Sequence, residues 1–165
     1  MKIEKLSIEH LEAFSVYTKA CMRDGLSLYA EAIDDCEAYL KKRIAYAQGE
    51  QLPEGWPPIS MYFYIDSGVI LGAIRVRHGV NPYIENVIGH IGYETLSQAR
   101  GKGTATAMLS WVKQQVIEDD VIVTCDESNL ASQKVIEKCG GKYLNTFYCN
   151  EDHCEVRRYQ LFKEV

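Results

Sequence analysis

The feature that most constrains this chain is a change of hydrophobic period at Gly103. Before it, three runs have the alternating, aromatic and β-branched character of strands: Ile59–Asp66, Val69–Arg77 and Val87–Thr95. After it, apolar residues recur at helical spacing as far as Val116. The sequence therefore predicts a sheet whose third strand leads through a glycine-rich turn directly into an amphipathic helix.

The rest of the chain divides into short elements. Before the three runs, the sequence predicts a strand over Lys2–Leu6, a helix from Ser7 to near Gly25, a helix from about Asp34 to Ile44 and a loop over Gln51–Pro58. After the amphipathic helix, it predicts a strand over Val121–Cys125, a helix over Leu130–Cys139 and closing strands over Lys142–Asn150 and Glu155–Phe162. This order, β-α-α-β-β-β-α-β-α-β-β, predicts one α/β (α+β) domain over residues 1–165, with a mixed, mostly antiparallel central sheet and helices on both faces.

The charge pattern argues against two classes of partner. The 165 residues include 18 Lys and Arg against 23 Asp and Glu, a net charge of −5, and no basic run is present. Nucleic-acid binding depends on clustered Lys and Arg, so we expect no nucleic-acid partner. No apolar stretch is long enough to span a membrane, and the start of the chain is charged where a signal peptide would be apolar. We therefore expect a cytoplasmic protein without a membrane partner.

The six cysteines lie at irregular spacings without a Cys-x-x-Cys motif, a pattern typical of reduced thiols. Only Cys149, His153 and Cys154 are close to one another in a segment that also reads as a hairpin. A tetrahedral zinc site needs a fourth ligand and a tighter pair of cysteines. We therefore expect a plain hairpin and no metal.

The turn before the amphipathic helix has the chemistry of an anion site. Gly101 and Gly103 lack a Cβ, so a ligand can approach the backbone, and the first N–H groups of a helix have no intrahelical acceptor. A phosphate or pyrophosphate suits this geometry, and so does a plain turn with a solvated Lys102. The sequence Gly-x-x-x-x-Gly-Lys-Ser/Thr is absent, and Thr106 replaces the third glycine of the dinucleotide fingerprint. P-loop nucleotide hydrolases and Rossmann dinucleotide-binding proteins are therefore excluded.

Three motifs between Val69 and Gly141 occur in the order of one superfamily. The third strand contains Ile91-Gly-Tyr93, the turn reads Gln98-Ala-Arg-Gly-Lys-Gly103, and a later helix opens with Asn129-Leu-Ala-Ser132. The turn matches the signature Gln/Arg-x-x-Gly-x-Gly/Ala of the GNAT acyl-CoA-dependent N-acyltransferases, and the other two motifs match the strand before that signature and the Asn-x-x-Ser start of a following helix. The chain therefore resembles the cofactor-binding half of a GNAT enzyme.

The resemblance implies acetyl-CoA as co-substrate and an amine as acceptor. In this superfamily, the pyrophosphate rests on backbone amides equivalent to Arg100 through Thr104, and the pantetheine pairs with the strand equivalent to Ile91 through Tyr93. Asn129 and Ser132 would border the thiol end of the pantetheine or cap their helix. The amine attacks the thioester directly in a ternary complex. The residues assigned to cofactor binding are thus Ile91, Gly92, Tyr93, Gln98, Ala99, Arg100, Gly101, Lys102, Gly103, Thr104, Asn129 and Ser132.

Catalytic candidates lie on or beside the third strand. A backbone N–H near Tyr93 would polarise the thioester carbonyl. Glu94 would remove a proton from the substrate ammonium, directly or through water, or would be a solvated carboxylate at a strand end. His90 has a suitable intrinsic pKa, with a structural role as the alternative.

The chain departs from the superfamily at the general acid. Many members carry a tyrosine four residues after the serine of Asn-x-x-Ser, where this chain has Ile136. Protonation of the leaving thiolate would then fall to Tyr143, Tyr148, Cys139 or a water molecule.

No motif identifies the acceptor amine. The resemblance assigns its recognition to segments equivalent to Met22–Asp35, Gln51–Ile59 and Phe147–Arg157. The run Arg75-Val-Arg77-His78 alternates on a strand and predicts one solvated face. The 11 Tyr and 2 Trp suit an ammonium ligand, an ordinary core or the seam of a homodimer.

The favoured function is an acetyl-CoA-dependent N-acetyltransferase acting on a small-molecule or peptide primary amine. A longer acyl-CoA as donor is one alternative. The other is a non-catalytic CoA-binding or regulatory module, which Ile136 favours because the usual acid is missing. A scaffold without a CoA site would require the Gly101-Lys-Gly103 turn to be incidental.

Overall fold

The computed structural model describes residues 1–165, which are built around a seven-stranded sheet. Its strands are β1 (Lys2–Lys5), β2 (Ile59–Asp66), β3 (Val69–Arg77), β4 (Ile91–Thr95), β5 (Val121–Asp126), β6 (Lys142–Cys149) and β7 (Cys154–Leu161). They lie in the order β1-β2-β3-β4-β5-β7-β6. Only β4 and β5 are parallel, and all other neighbours are antiparallel. The predicted fold class is confirmed.

The helices cover both faces of this sheet. They are α1 (Leu11–Arg23), α2 (Ala30–Asp34), α3 (Cys36–Ala47), α4 (Thr104–Gln115) and α5 (Leu130–Lys138). Asp35 caps α3 by accepting the N–H of Ala38 at 3.0 Å, and Asn129 caps α5 by accepting the N–H of Ser132 at 3.1 Å. None of the helices combines the length and the apolar character needed to cross a membrane.

Two separate hydrophobic cores result from the period-2 alternation of the strands. On one face, Met61 and Phe63 of β2 pack with Phe14 of α1 and Leu40 of α3. On the other face, Ile74 and Val76 of β3 and Ile91 of β4 pack with Met108 of α4 and Ile136 of α5. The sheet is therefore buried between α1–α3 and α4–α5.

One local prediction was wrong, and two short elements were not predicted. The segment before α3 contains a 3-10 turn over Ser27–Tyr29 and the short helix α2, which are too brief to leave a periodic pattern. The predicted strand over Val87–Thr95 begins only at Ile91, because Ile84–Ile88 form a single π-helical turn. The side chain of Asn81 opens that turn by accepting the N–H of Ile84 at 2.8 Å.

Candidate active site

The two parallel strands at the centre of the sheet separate almost as soon as they meet. β4 and β5 are paired only at Ile91 and Val123. Beyond that point, Gly92–Thr95 has no strand partner on the side of β5, while its other side stays paired with β3 over the whole strand. A wedge-shaped opening therefore lies between the carboxyl ends of β4 and β5.

The hydrogen-bond alternation of β4 decides which backbone groups face this opening. Arg77 N donates to His90 O at 2.7 Å, and Leu96 N donates to Leu71 O at 2.9 Å. Every second residue of an antiparallel strand directs both backbone groups at the same neighbour. The even-numbered residues of β4 therefore face β3, and Tyr93 and Thr95 direct their N–H and C=O groups into the opening.

The turn after β4 presents a row of unpaired amides. None of the backbone N–H groups from Gly101 through Thr106 has a hydrogen-bond acceptor within the chain. Gly103 is the N-cap of α4 and adopts φ +79°, and a Cβ there or on Gly101 would meet nothing within 4 Å. The turn is thus open around Gly101 and Gly103, and its free amides lie at the positive end of the helix dipole.

A pair of hydroxyl groups connects β4 with α5 beside the opening. The Tyr93 hydroxyl lies 2.7 Å from Ser132 Oγ. Burial raises the pKa of Tyr93 to about 12, so the phenol stays protonated at neutral pH and can donate a hydrogen bond. The residue at the position of the superfamily tyrosine, Ile136, is fully buried in the core beneath α5.

The carboxylate of Glu94 is enclosed in a polar cluster on the face of α1–α3. Its Oε1 accepts hydrogen bonds from the hydroxyl groups of Tyr17 (2.8 Å) and Tyr29. Its Oε2 lies 2.7 Å from Arg75 Nη2, in an ion-pair contact rather than an aligned hydrogen bond. Only 9% of the Glu94 side chain is exposed. The alternative of a solvated strand-end carboxylate is therefore wrong, and the role of Glu94 as a base stays a prediction.

His90 joins β4 to β5 at the closed end of the opening. Its backbone N–H donates to Ile122 O at 2.7 Å, and its Nδ1 accepts the N–H of Ile122 at 3.0 Å. Nδ1 is therefore unprotonated, and the neutral ring carries its proton on Nε2. Burial, assisted by the charge of Arg77, lowers the pKa of His90. The lone pair that a general base would use is already occupied.

The arginines of β3 are buried, which contradicts the predicted solvated face. Arg75 donates to the hydroxyl of Tyr29 at 2.9 Å in addition to pairing with Glu94. Arg77 is 8% exposed and donates to Gly89 O at 3.0 Å. An alternating charged run has the same sequence pattern whether the strand faces water or a polar interior. The pattern therefore could not distinguish a solvated face from a buried polar one.

The other groups predicted for proton transfer lie away from the opening. Tyr143 and Tyr148 are half-exposed on β6, which is separated from β5 by β7. The thiol of Cys139 points to Thr106 O at 3.7 Å, and burial raises its pKa. The contact between the hydroxyl groups of Tyr93 and Ser132 was not predicted, because no spacing rule connects positions on β4 and α5.

Two further features of the surface lie outside this arrangement. On the β6–β7 hairpin, one ligand atom each of Cys149, Asp152 and Cys154 lies within 4.8 Å of the others, with Asp152 in the place where His153 was expected. A crevice of about 590 Å³ runs between α1 and the β2–β3 turn and reaches the glycine-rich turn only at Ser97 and Gln98.

Residues 1–142 match a family model described as "Acetyltransferase (GNAT) domain". The chain belongs to the GNAT acetyltransferase family. This confirms the resemblance drawn from the turn motif and makes the chain an acetyl-CoA-dependent acyltransferase. A search of curated protein sequences finds no significant match.

Solved structures of N-acetyltransferases share the fold of this GNAT domain. A ribosomal L7/L12 alpha-N-protein acetyltransferase, RimL, in complex with coenzyme A is 15% identical, covers 97% of this chain and 92% of its own, and has a TM-score of 0.69. An N-acetyltransferase from Staphylococcus aureus Mu50 is 19% identical, with coverage of 99% and 98% and a TM-score of 0.66. A chimeric spermidine N-acetyltransferase from Vibrio cholerae is 13% identical, with coverage of 99% and 97% and a TM-score of 0.66.

Proposed function

We propose that this chain transfers the acetyl group of acetyl-CoA to a primary amine by direct attack in a ternary complex. The observation that carries the proposal is the continuity of two unpaired backbone surfaces. The open edge of β4 at Tyr93 and Thr95 leads, within the same chain segment, to the free amides of Gly101 through Thr106. A ligand with amide groups at one end and a pyrophosphate at the other matches that order, and acetyl-CoA has both.

The residues assigned to acetyl-CoA divide between these surfaces. The prediction that the amides of Arg100 through Thr104 bind the pyrophosphate needs one correction, because Arg100 N already donates to Ser97 O at 3.2 Å. The free amides of Gly101–Thr106 would bind the pyrophosphate instead, within the turn formed by Gln98, Ala99, Arg100, Gly101, Lys102, Gly103 and Thr104. Of the residues Ile91, Gly92 and Tyr93 assigned to the pantetheine, only Tyr93 has backbone groups on the open edge, which continues at Thr95 and would pair with the pantetheine amides. Ile91 is paired with Val123, and the backbone groups of Gly92 face β3. Asn129 serves as the cap of α5, so its contribution would come through the orientation of Ser132.

The chemistry requires polarisation of a thioester and attack by a neutral amine. The N–H of Tyr93 points into the opening and would donate to the thioester carbonyl oxygen as charge develops there. The amine nitrogen then bonds to the carbonyl carbon, the C–S bond breaks, and the sulfur leaves as a thiolate, which takes up the proton that the acylated nitrogen loses. Direct attack is supported by Cys125 at the end of β5, because burial raises its pKa to about 11 and leaves it a poor nucleophile at neutral pH.

Two proton movements complete the proposal. Glu94 is the carboxylate assigned to the substrate ammonium, and its burial implies that the proton reaches it through water. The Tyr93–Ser132 hydroxyl pair would donate a hydrogen bond to the leaving sulfur, in the absence of the superfamily tyrosine at Ile136. We assign His90 a positioning role, since its Nδ1 is engaged by Ile122.

Acetyl-CoA turnover in the presence of a panel of primary amines tests this function. Release of CoA is followed with a thiol reagent, and the acetylated amine is identified by mass spectrometry. We expect intersecting double-reciprocal lines when both substrates are varied. Parallel lines would indicate an acetyl-enzyme and overturn the direct attack. Tight binding of acetyl-CoA without turnover of any amine would favour the non-catalytic CoA-binding module instead.

A further inference from the structure

Two guanidinium groups lie over β4 at the point where β4 leaves β5. A Cβ placed on Gly92 would lie 3.4 Å from Nη2 of Arg75 and 3.4 Å from Nη2 of Arg77. Gly92 directly follows Ile91, the last residue of β4 that is paired with β5, and directly precedes Tyr93. Both cations therefore lie beside the backbone to which we assign the thioester, on the face of α1–α3.

The positive charge at this place is not balanced by the chain. Arg75 is paired with Glu94. Arg77 and Arg43 of α3 take part in none of the ion pairs of the structure, and Nε of Arg43 is buried without an acceptor. The only acceptor of the Arg77 guanidinium is one carbonyl oxygen, Gly89 O. A chain with a net charge of −5 thus keeps the buried Arg77 and the half-buried Arg43 without a carboxylate partner beside its candidate active site.

A buried cation without a counter-ion is costly, and a folded chain retains one where a ligand supplies the opposite charge. Burial, together with the nearby charges of Arg75 and Arg43, lowers the pKa of Arg77 to about 9. A guanidinium presents a planar fork of N–H groups that matches a carboxylate or phosphate in two-point contact. A second cation in this place would instead be repelled by the excess positive charge.

We infer that the acceptor is an amine that carries an anionic group, a carboxylate in the first instance, close to the reacting nitrogen, and that Arg77 binds this group. The inference rests on the proposed function, because it names the substrate class of the same site. Arg75 is held by Glu94 and Tyr29, so Arg77 is the arginine with N–H groups free for a ligand. Polyamines and other multiply charged cations are thereby disfavoured as acceptors.

Matched pairs of amines test this inference. Glycine, β-alanine and 4-aminobutyrate are compared with their carboxamides, which differ only in charge, and with 1,3-diaminopropane. Phosphoethanolamine against ethanolamine distinguishes a phosphate from a carboxylate. The enzyme is the full chain as wild type, Arg77→Gln and Arg77→Lys, with Lys41→Gln on the exposed side of α3 as the control that removes a surface charge. Acetyl-CoA binding measured by calorimetry checks that each variant is folded.

The wild type is expected to acetylate at least one acid with a kcat/KM about tenfold or more above that of its amide. This ratio corresponds to the free energy of a charge-assisted hydrogen bond. Arg77→Gln should abolish this preference through KM and leave the turnover of the amides within about threefold of wild type, while Lys41→Gln keeps the preference. Turnover of the amides or the diamine equal to or better than that of the acids overturns the inference and leaves the proposed function intact. An Arg77→Gln variant that keeps the preference for acids has the same consequence. If no amine is turned over, the proposed function fails, and the anion site is then tested by calorimetry with the acids and amides alone. Binding of the acids that depends on their charge and is lost in Arg77→Gln supports the anion site. Absence of binding overturns it.

Discussion

The carboxylate of Glu94 is tied to the guanidinium of Arg75 on the adjacent strand, with Oε2 2.7 Å from Nη2. The two residues form a diagonal pair across the β3–β4 ladder, two residues out of register, since Glu94 is opposite Ala73 and Arg75 is opposite Gly92. Glycine at position 92 leaves the space that the guanidinium occupies. The pair therefore fixes the paired side of β4, while the other side remains open for a ligand.

Substitution of Glu94 by glutamine is expected to affect both stability and turnover. The amide can still accept the tyrosine hydrogen bonds, but Arg75 loses its counter-ion beside Arg77, which costs about 3 kcal/mol of unfolding free energy. Turnover should fall about tenfold or more, with acetyl-CoA affinity retained. Urea unfolding, calorimetry and kcat measure the three effects.

A matched control for this change is Glu127→Gln, because Glu127 pairs with Arg157 at 3.3 Å but is 38% exposed. An exposed pair contributes at most about 1 kcal/mol. A wild-type rate and pH profile in Glu94→Gln would remove Glu94 as the base, and a stability loss no larger than in the control would contradict the structural importance of its pairing with Arg75.

The hydroxyl groups of Tyr93 and Ser132 are expected to be coupled. Tyr93→Phe and Ser132→Ala should each lower the unfolding free energy by about 1 kcal/mol, and the double variant should lose about 1 kcal/mol less than the sum. If the pair also assists the leaving sulfur, both single variants lower kcat more than they raise the KM of acetyl-CoA. Tyr143→Phe, which removes an exposed hydrogen bond to Thr146 Oγ1, is the control. Additive losses would show that the two hydroxyls act independently.

The burial of His90 predicts a loss of stability in mild acid. Because the folded-state pKa of His90 is lowered, the unfolded chain binds a proton first as the pH falls. The contribution of the neutral ring is thus fully present above the ordinary pKa of about 6.5 and is lost as the pH falls from there through the folded-state value. In His90→Asn, the urea midpoint should depend less steeply on pH in this range. An unchanged slope would mean that other groups account for the acid sensitivity.

Much of the fold could be predicted from the sequence because its signals are local. The strands β2 and β3 have the predicted boundaries, since aromatic and β-branched residues fill Ile59–Asp66 and the Ser67-Gly68 turn ends the run. Asp35 and Asn129 cap helices as their residue types favour. The parallel pairing of β4 with β5 follows from the intervening helix α4.

The electrostatic interior of the site could not be predicted, because it depends on contacts between distant positions. Glu94 meets Tyr17, Tyr29 and Arg75, which come from three other elements. No period or spacing rule encodes such contacts. For that reason the alternating run Arg75-Val-Arg77 predicted a solvated face. The π-helical turn at Ile84–Ile88 was missed because Asn81 opens it with a side-chain contact in an otherwise apolar run.

Binding of acetyl-CoA to Gly103→Asp is the measurement that tests the account most directly, with Gly68→Asp as the matched control. Both glycines adopt φ +79°, and a Cβ on either meets nothing within 4 Å, so the backbone strain is the same. Only at Gly103 would the new carboxylate face the free amides assigned to the pyrophosphate. Calorimetric titration should show one acetyl-CoA per wild-type chain and per Gly68→Asp chain, and an affinity at least about a hundredfold weaker for Gly103→Asp. Equal affinities in three folded proteins would contradict the assignment of this turn to the cofactor.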